Sequence, residues 1–131
     1  MRYASPSLDL QYFLYTSVQA DVREQHWRAL LDTYVDQLRE TLTALGHGDK
    51  AITTDALQED MDRRASFGLV SSFTVLCAIV ADPSDAIALD QLTKEDMEKG
   101  DVSVFEKAVS GKRFHLALQK LLPMFVKKNV L

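Results

Sequence analysis

His47, Gly48 and Asp49 spell a pattern suited to phosphoryl transfer onto a hydroxyl. In such a catalytic loop an Asp orients the accepting hydroxyl, and an Asn five residues later holds magnesium. The residue five past Asp49 is Thr54, so the second requirement fails. The three residues then read as a glycine-containing connection that ends one helix and precedes the next. The other reactive side chains are scattered. His26, His47 and His115 fall in separate elements with no ligand spacing between them. Cys77 lies among Val75, Leu76, Ala78 and Ile79, which reads as a small buried hydrophobe rather than a nucleophile. Glu59, Asp60 and Asp62 read as the solvated face of a helix, where negative charge near a helix start is favourable. There is no glycine-rich phosphate cradle, Walker sequence or strand-borne lysine. From these residues alone the chain has no self-sufficient active site.

The elements that must carry these side chains are helices. The chain has 131 residues, of which 47% are hydrophobic and 26% charged, the balance of one soluble globular unit. A net charge of -4 supplies no broad basic field for phosphate backbones, so nucleic-acid binding is not expected. One cysteine cannot make an intrachain disulfide, and a reducing, cytoplasmic home is expected. The opening residues lack the charged segment and apolar core of a signal peptide. The most apolar run, residues 67–80, is interrupted by Ser71, Ser72 and Thr74 and is shorter than a bilayer requires.

From Val22 to Leu45 the positions Val22, His26, Trp27, Leu30, Leu31, Tyr34, Val35, Leu38, Leu42 and Leu45 recur at helical spacing. Asp21 is placed to cap that helix, Glu24 to complete a capping box, and Gly46 to stop it. A second long helix is expected from Thr54, as its cap, through Ile79, charged first and then apolar on nearly every side. Its second half should therefore be enclosed by neighbours. After a mixed stretch with a possible cap at Thr93, a short helix is expected over 103–109, then a break at Ser110-Gly111. The last helix should turn Phe114, Leu118, Leu121, Leu122 and Phe125 inward, with Pro123 kinking or ending it. Residues 127–129 are expected to fray. No alternation typical of strands is convincing, so the fold class expected is all-α.

The stretch "RYASPSLDLQYFLYTS", residues 2–17, resembles the segment that follows the magnesium-binding Asp-Phe-Gln motif in the ecdysteroid kinase-like (CHK kinase-like) family, which has a choline and aminoglycoside kinase-type fold. The residues that carry the likeness are Arg2, Tyr3, Ala4, Ser5, Pro6, Asp9, Leu10, Tyr12, Phe13 and Leu14. The helix beginning at Asp21 is also similar to the family's next one. Gln11 departs from the pattern, standing where an apolar residue is common.

The resemblance implies that residues 1–131 are one helical subdomain, the C-terminal part of a kinase-like small-molecule phosphotransferase. It implies that Asp9, with Ser5 and Pro6 in the loop before it, braces a catalytic loop, although an Asp at a helix start also caps amides and Pro suits a first turn. ATP and magnesium are implied for an intact family member, their ligands lying upstream; this chain alone is expected to hold no cofactor and to be inactive. A small hydroxylated, sterol-like acceptor would meet the helices, with Tyr12, Tyr15, Met61, Phe67 and Phe73 as candidate lining, although residues of these types at helical spacing commonly form core. The rival reading is a stand-alone, non-catalytic helical module whose uncovered apolar face (Tyr12, Phe13, Leu14 and the Phe67 helix) recruits a ligand or partner or self-associates. An autonomous enzyme built on Asp49 would need an unseen metal ligand.

Overall fold

A computed structural model describes residues 4–81, 106 and 109–131. The expectations at Thr93 and for most of the 103–109 helix lie outside them. The described residues are helical and include no strand: α1 (Pro6–Thr16), α2 (Ala20–Ala44), a single 3-10 turn (Gly48–Lys50), α3 (Thr54–Arg63), α4 (Ala65–Ile79) and α5 (Lys112–Lys127). The all-α class is as expected.

α1 is the hub, because it buries side chains on two sides at once. Leu14 joins Leu31, Val35, Leu57 and Met61 in a cluster with α2 and α3. Its neighbour Tyr15 joins Leu76, Cys77, Phe114, Leu121 and Phe125 in a second cluster with α4 and α5. Trp27 packs on the edge of both, 6.0 Å from the Tyr15 ring, while the Phe125 ring lies 4.9 Å from Tyr15 on the other side. Cys77 is buried, as its apolar neighbours predict.

Helix ends account for several differences from expectation. Asp21 is not the cap of α2 and no capping box forms; Gln19 stands at the cap without a side-chain hydrogen bond, and Asp21 lies in the first turn. At the other end Gly46, at φ 76°, does stop the helix. His47 N–H donates to Leu42 at 2.7 Å and Gly46 N–H to Thr43 at 3.0 Å, the paired bonds of a Schellman stop. The same pair closes α5, where Asn129 adopts φ 53°, its N–H donates to Val126 and the Val130 N–H donates to Phe125. Val130 then packs on the Phe125 cluster, so residues 127–129 are tied down rather than frayed. Pro123 does not end α5; the helix runs through it to Lys127.

The single long helix expected from Thr54 to Ile79 is two. Thr53, not Thr54, is the cap, its side chain accepting from Ala56 N–H, and Arg64 (φ -108°, ψ 17°) separates α3 from α4. The apolar half is not enclosed on every side. Ala65, Gly68, Ser71, Ser72, Leu76 and Cys77 are buried, whereas Phe67, Val70, Phe73 and Ile79 are exposed. The stripe of α2 also changes phase at His26, the one residue of that helix with non-helical backbone angles. Before it, Arg23 is buried while Val22 and His26 face solvent, contrary to the periodicity.

α1 and α4 approach through small residues. A Cβ on Gly68 would lie 2.6 Å from the Tyr15 ring and 2.7 Å from Gln11 Oε1. Gln11 is itself buried, and neither its Nε2 nor its Oε1 has a hydrogen-bond partner among the described residues. A buried amide with both groups unpaired loses its hydration without replacement. Gln11→Leu, which removes both groups at similar volume, is expected to raise the unfolding free energy by about 1 kcal/mol. Urea unfolding would show this as a higher midpoint at unchanged slope; a lower midpoint would contradict it.

Candidate functional site

The loop before α1 is organised around one carboxylate. Ser5 is the N-cap of α1, its hydroxyl accepting from Ser7 N–H at 3.2 Å, and Pro6 occupies the first turn, where its missing N–H costs nothing. Asp60 of α3 reaches back to this loop. Its Oδ2 accepts from the Ser5 hydroxyl and from the Ser7 hydroxyl at 2.6 Å. Arg63 and Arg64 complete the shell, with the Arg64 Nε at 3.2 and 3.1 Å from the two carboxylate oxygens. The Asp60 side chain is 18% exposed, so the expected solvated acidic face is corrected at this position. The Ser5 and Ser7 hydroxyls, then Arg64, hold its carboxyl well below the usual carboxylate range despite partial desolvation. Glu59 stays exposed, and Asp62 accepts from Gln58 and pairs with Lys128.

A cleft of about 520 Å³ opens beside this loop, lined by Ser5, Pro6, Ile52, Leu57, Asp60 and Arg64 among others. Asp9 lies in the first turn of α1, exposed. It does not cap the helix, because Ser5 does. Its charge is felt at Tyr34, whose hydroxyl is pushed up first by burial and then by Asp9.

The other candidates separate. Tyr15 and Met61 are core, each 2% exposed, whereas Tyr12 is exposed on α1 and Phe67 and Phe73 are exposed on α4. Leu14, expected on the uncovered face, is also core; Phe13 beside it is exposed. His47, Gly48 and Asp49 are exposed in the interhelical turn, and His26 and His115 are exposed on α2 and α5. Among the described residues no three His, Cys, Asp or Glu side chains are grouped to hold a metal ion, and no helix is long and apolar enough to cross a membrane.

Two residues escaped the sequence reading. Asp60 carries one legible signal, an Arg four residues on, but its tie to Ser5 spans 55 positions. Arg23 carries none. It is 2% exposed, and its Nη1 donates to the carbonyls of Leu14 at 2.9 Å and Val18 at 3.0 Å, so a cation closes the C-terminal end of α1, where it is favoured.

No curated protein and no solved structure matches the chain significantly. A family model does, over 47 of its 131 residues. That segment runs from the loop held by Asp60 through the Schellman stop of α2, and across residues 1–47 the chain matches the ecdysteroid kinase-like family.

Proposed function

We propose that the chain is the acceptor-side helical part of an ecdysteroid kinase-like small-molecule phosphotransferase. It would supply the floor and wall of a pocket for a small hydroxylated, sterol-like substrate and not the groups that move the phosphate. The observation that carries this reading is the family match over residues 1–47, the part of the chain in which Ser5 and Pro6 form a rigid helix start. In this reading Ser5 and Pro6 fix the loop and Asp9, freed from capping by Ser5, turns its carboxylate to a catalytic loop outside the chain. Phosphoryl transfer rests on positioning and on charge stabilisation by metal, lysine and base; ATP and magnesium would be held by that outside portion.

The mass of the endogenous protein, read by immunoblot with an antibody to residues 85–131 together with the 5′ end of its transcript, tests the proposal. A polypeptide much heavier than 14.7 kDa, reading into an Asp-Phe-Gln segment upstream, is the expected result. A band at 14.7 kDa would overturn it and favour the second reading, a non-catalytic helical module. That reading draws on the individually exposed Phe13 of α1 and Val70 and Phe73 of α4, since large apolar side chains left in solvent recruit partners or self-associate where they gather. Asp49→Asn is expected to leave phosphotransfer by the longer polypeptide unchanged and stability within about 0.5 kcal/mol, because Asp49 is an exposed turn residue. Phosphotransfer by residues 1–131 alone that this substitution abolishes would restore the autonomous enzyme.

A further inference from the structure

A second cleft, of about 690 Å³, lies between α2 and α5. We propose that it binds a small amphipathic anion, with the acidic head set among Arg23, Lys120 and Lys127 and the apolar body along Trp27, Pro123 and Met124. This does not rest on the phosphotransferase reading.

Four observations support it. The protein carries a net charge of -4, yet this cleft is lined by four cations, Arg23, Lys120, Lys127 and Lys128, against one acid, Glu24. Among the described residues Lys128 alone of these four has a carboxylate in ion-pair distance, that of Asp62; Arg23 lies over the Tyr15 ring, 5.6 Å from its centroid. Arg23 is almost wholly buried without a carboxylate in ion-pair distance among the described residues, and its Nε has no hydrogen-bond partner. Its Nη1 donates to two neutral carbonyls. Burial weakens its hold on its proton, with Tyr15 and Glu24 acting the other way, but a guanidinium remains charged at neutral pH. A buried charge without a counter-ion is normally paired, and an anion entering beside it would supply the pair.

The fourth observation concerns the floor, which is rigid and apolar. Trp27 donates from Nε1 to Gln58 at 2.6 Å, Gln58 donates to Asp62 at 3.0 Å, and Lys128 bridges Asp62 and the Trp27 face, 5.5 Å from its centroid. That closed circuit holds the indole in place on the cleft wall. An acid with a hydrocarbon body matches the combination better than a bare anion, which would leave Trp27, Pro123 and Met124 uncovered, or a neutral alcohol, which would leave Arg23 unpaired.

Trp27 is the protein's single tryptophan, so its fluorescence reports the cleft directly. The probes are decanoate below its micelle concentration, decanol, inorganic phosphate and vesicles of an anionic phospholipid. Saturable change with decanoate, with decanol and phosphate each at least about tenfold weaker, is the expected result. Lys120→Glu with Lys127→Glu, both exposed positions, should weaken decanoate binding about tenfold or more while circular dichroism stays unchanged. Equal binding of decanoate and decanol, or of decanoate and phosphate, would overturn the proposal. So would decanoate binding untouched by the charge reversal, or a response to vesicles with none to monomeric decanoate.

Discussion

Asp60→Ala is expected to lower the unfolding free energy by about 3 kcal/mol, the scale of breaking a partly buried network of charge-assisted hydrogen bonds. The carboxylate accepts from two serine hydroxyls and two arginines, and no water can replace it fully because Ser7 has no exposed surface. Without Asp60 the Ser5 and Ser7 hydroxyls keep each other, at 2.9 Å, and Ser5 keeps its capping bond from Ser7 N–H at 3.2 Å. The loop before α1 would lose its link to α3, and the loss should appear as early hydrogen exchange in α1 as well as a lower urea midpoint. Asp60→Asn, which keeps the shape and loses the charge, should fall between Ala and the parent. Equal stability of all three proteins would show that the network contributes nothing net.

The same carboxylate sets an acid limit. Its pKa in the folded protein lies below the ordinary 3.8, so the unfolded chain takes up a proton first. Its contribution is complete above the ordinary value and is lost as pH falls through that value toward the depressed one. Urea midpoints at about pH 6 and about pH 3 should therefore converge between parent and Asp60→Asn as the medium becomes more acid. A gap that widens on acidification would reverse the sign and refute the assignment.

Gly68→Ala is the second large effect, and its sign is the informative part. In an exposed helix interior, alanine is favoured over glycine by about 1 kcal/mol. Here the added methyl would fall within 2.6 and 2.7 Å of two Tyr15 ring carbons and 2.7 Å of Gln11 Oε1, distances that require something to move. Tyr15 cannot retreat freely, because Phe125 and Trp27 pack on its ring. The net expected cost is about 2 kcal/mol, typical of overpacking a filled core. Gln11→Ala removes one of the obstructing atoms, so the Gly68→Ala cost should shrink by about 0.5 to 1 kcal/mol in that background. Strict additivity would place the strain on Tyr15 alone.

Tyr15 belongs to the same close packing, and its titration offers a separate check. Burial, opposed by Arg23 and assisted by Asp62, pushes its hydroxyl up to about 12. A phenol that ionises on unfolding near its ordinary value favours the unfolded state as pH rises, so alkaline destabilisation should begin near pH 10, and Tyr15→Phe should remove this component.

How much of this was readable in advance follows the range of the interactions. The helical class, the span of α2, the glycine stop at Gly46, the burial of Cys77 and the inward face of α5 depend on periodicity and on backbone geometry within one or two turns. Those are local quantities, present in the sequence itself. The likeness of residues 2–17 to a family was legible for the same reason, as a run of consecutive residue types. What escaped was decided by partners distant in the chain. Asp60 looks like any acid on a charged helix until α1 is laid against α3. Arg23 stands four residues before Trp27 on a helical stripe, but a cation has no reason to be buried there until α1 presents its C-terminal carbonyls. Gln11 and Gly68 matter only because two helices meet at those residues. The break at Arg64 and the exposed outer face of α4 likewise depend on which surfaces the other helices cover. Local hydrogen bonding and side-chain period fix the elements, but desolvation fixes the role of a polar residue, and desolvation is a property of everything packed around it.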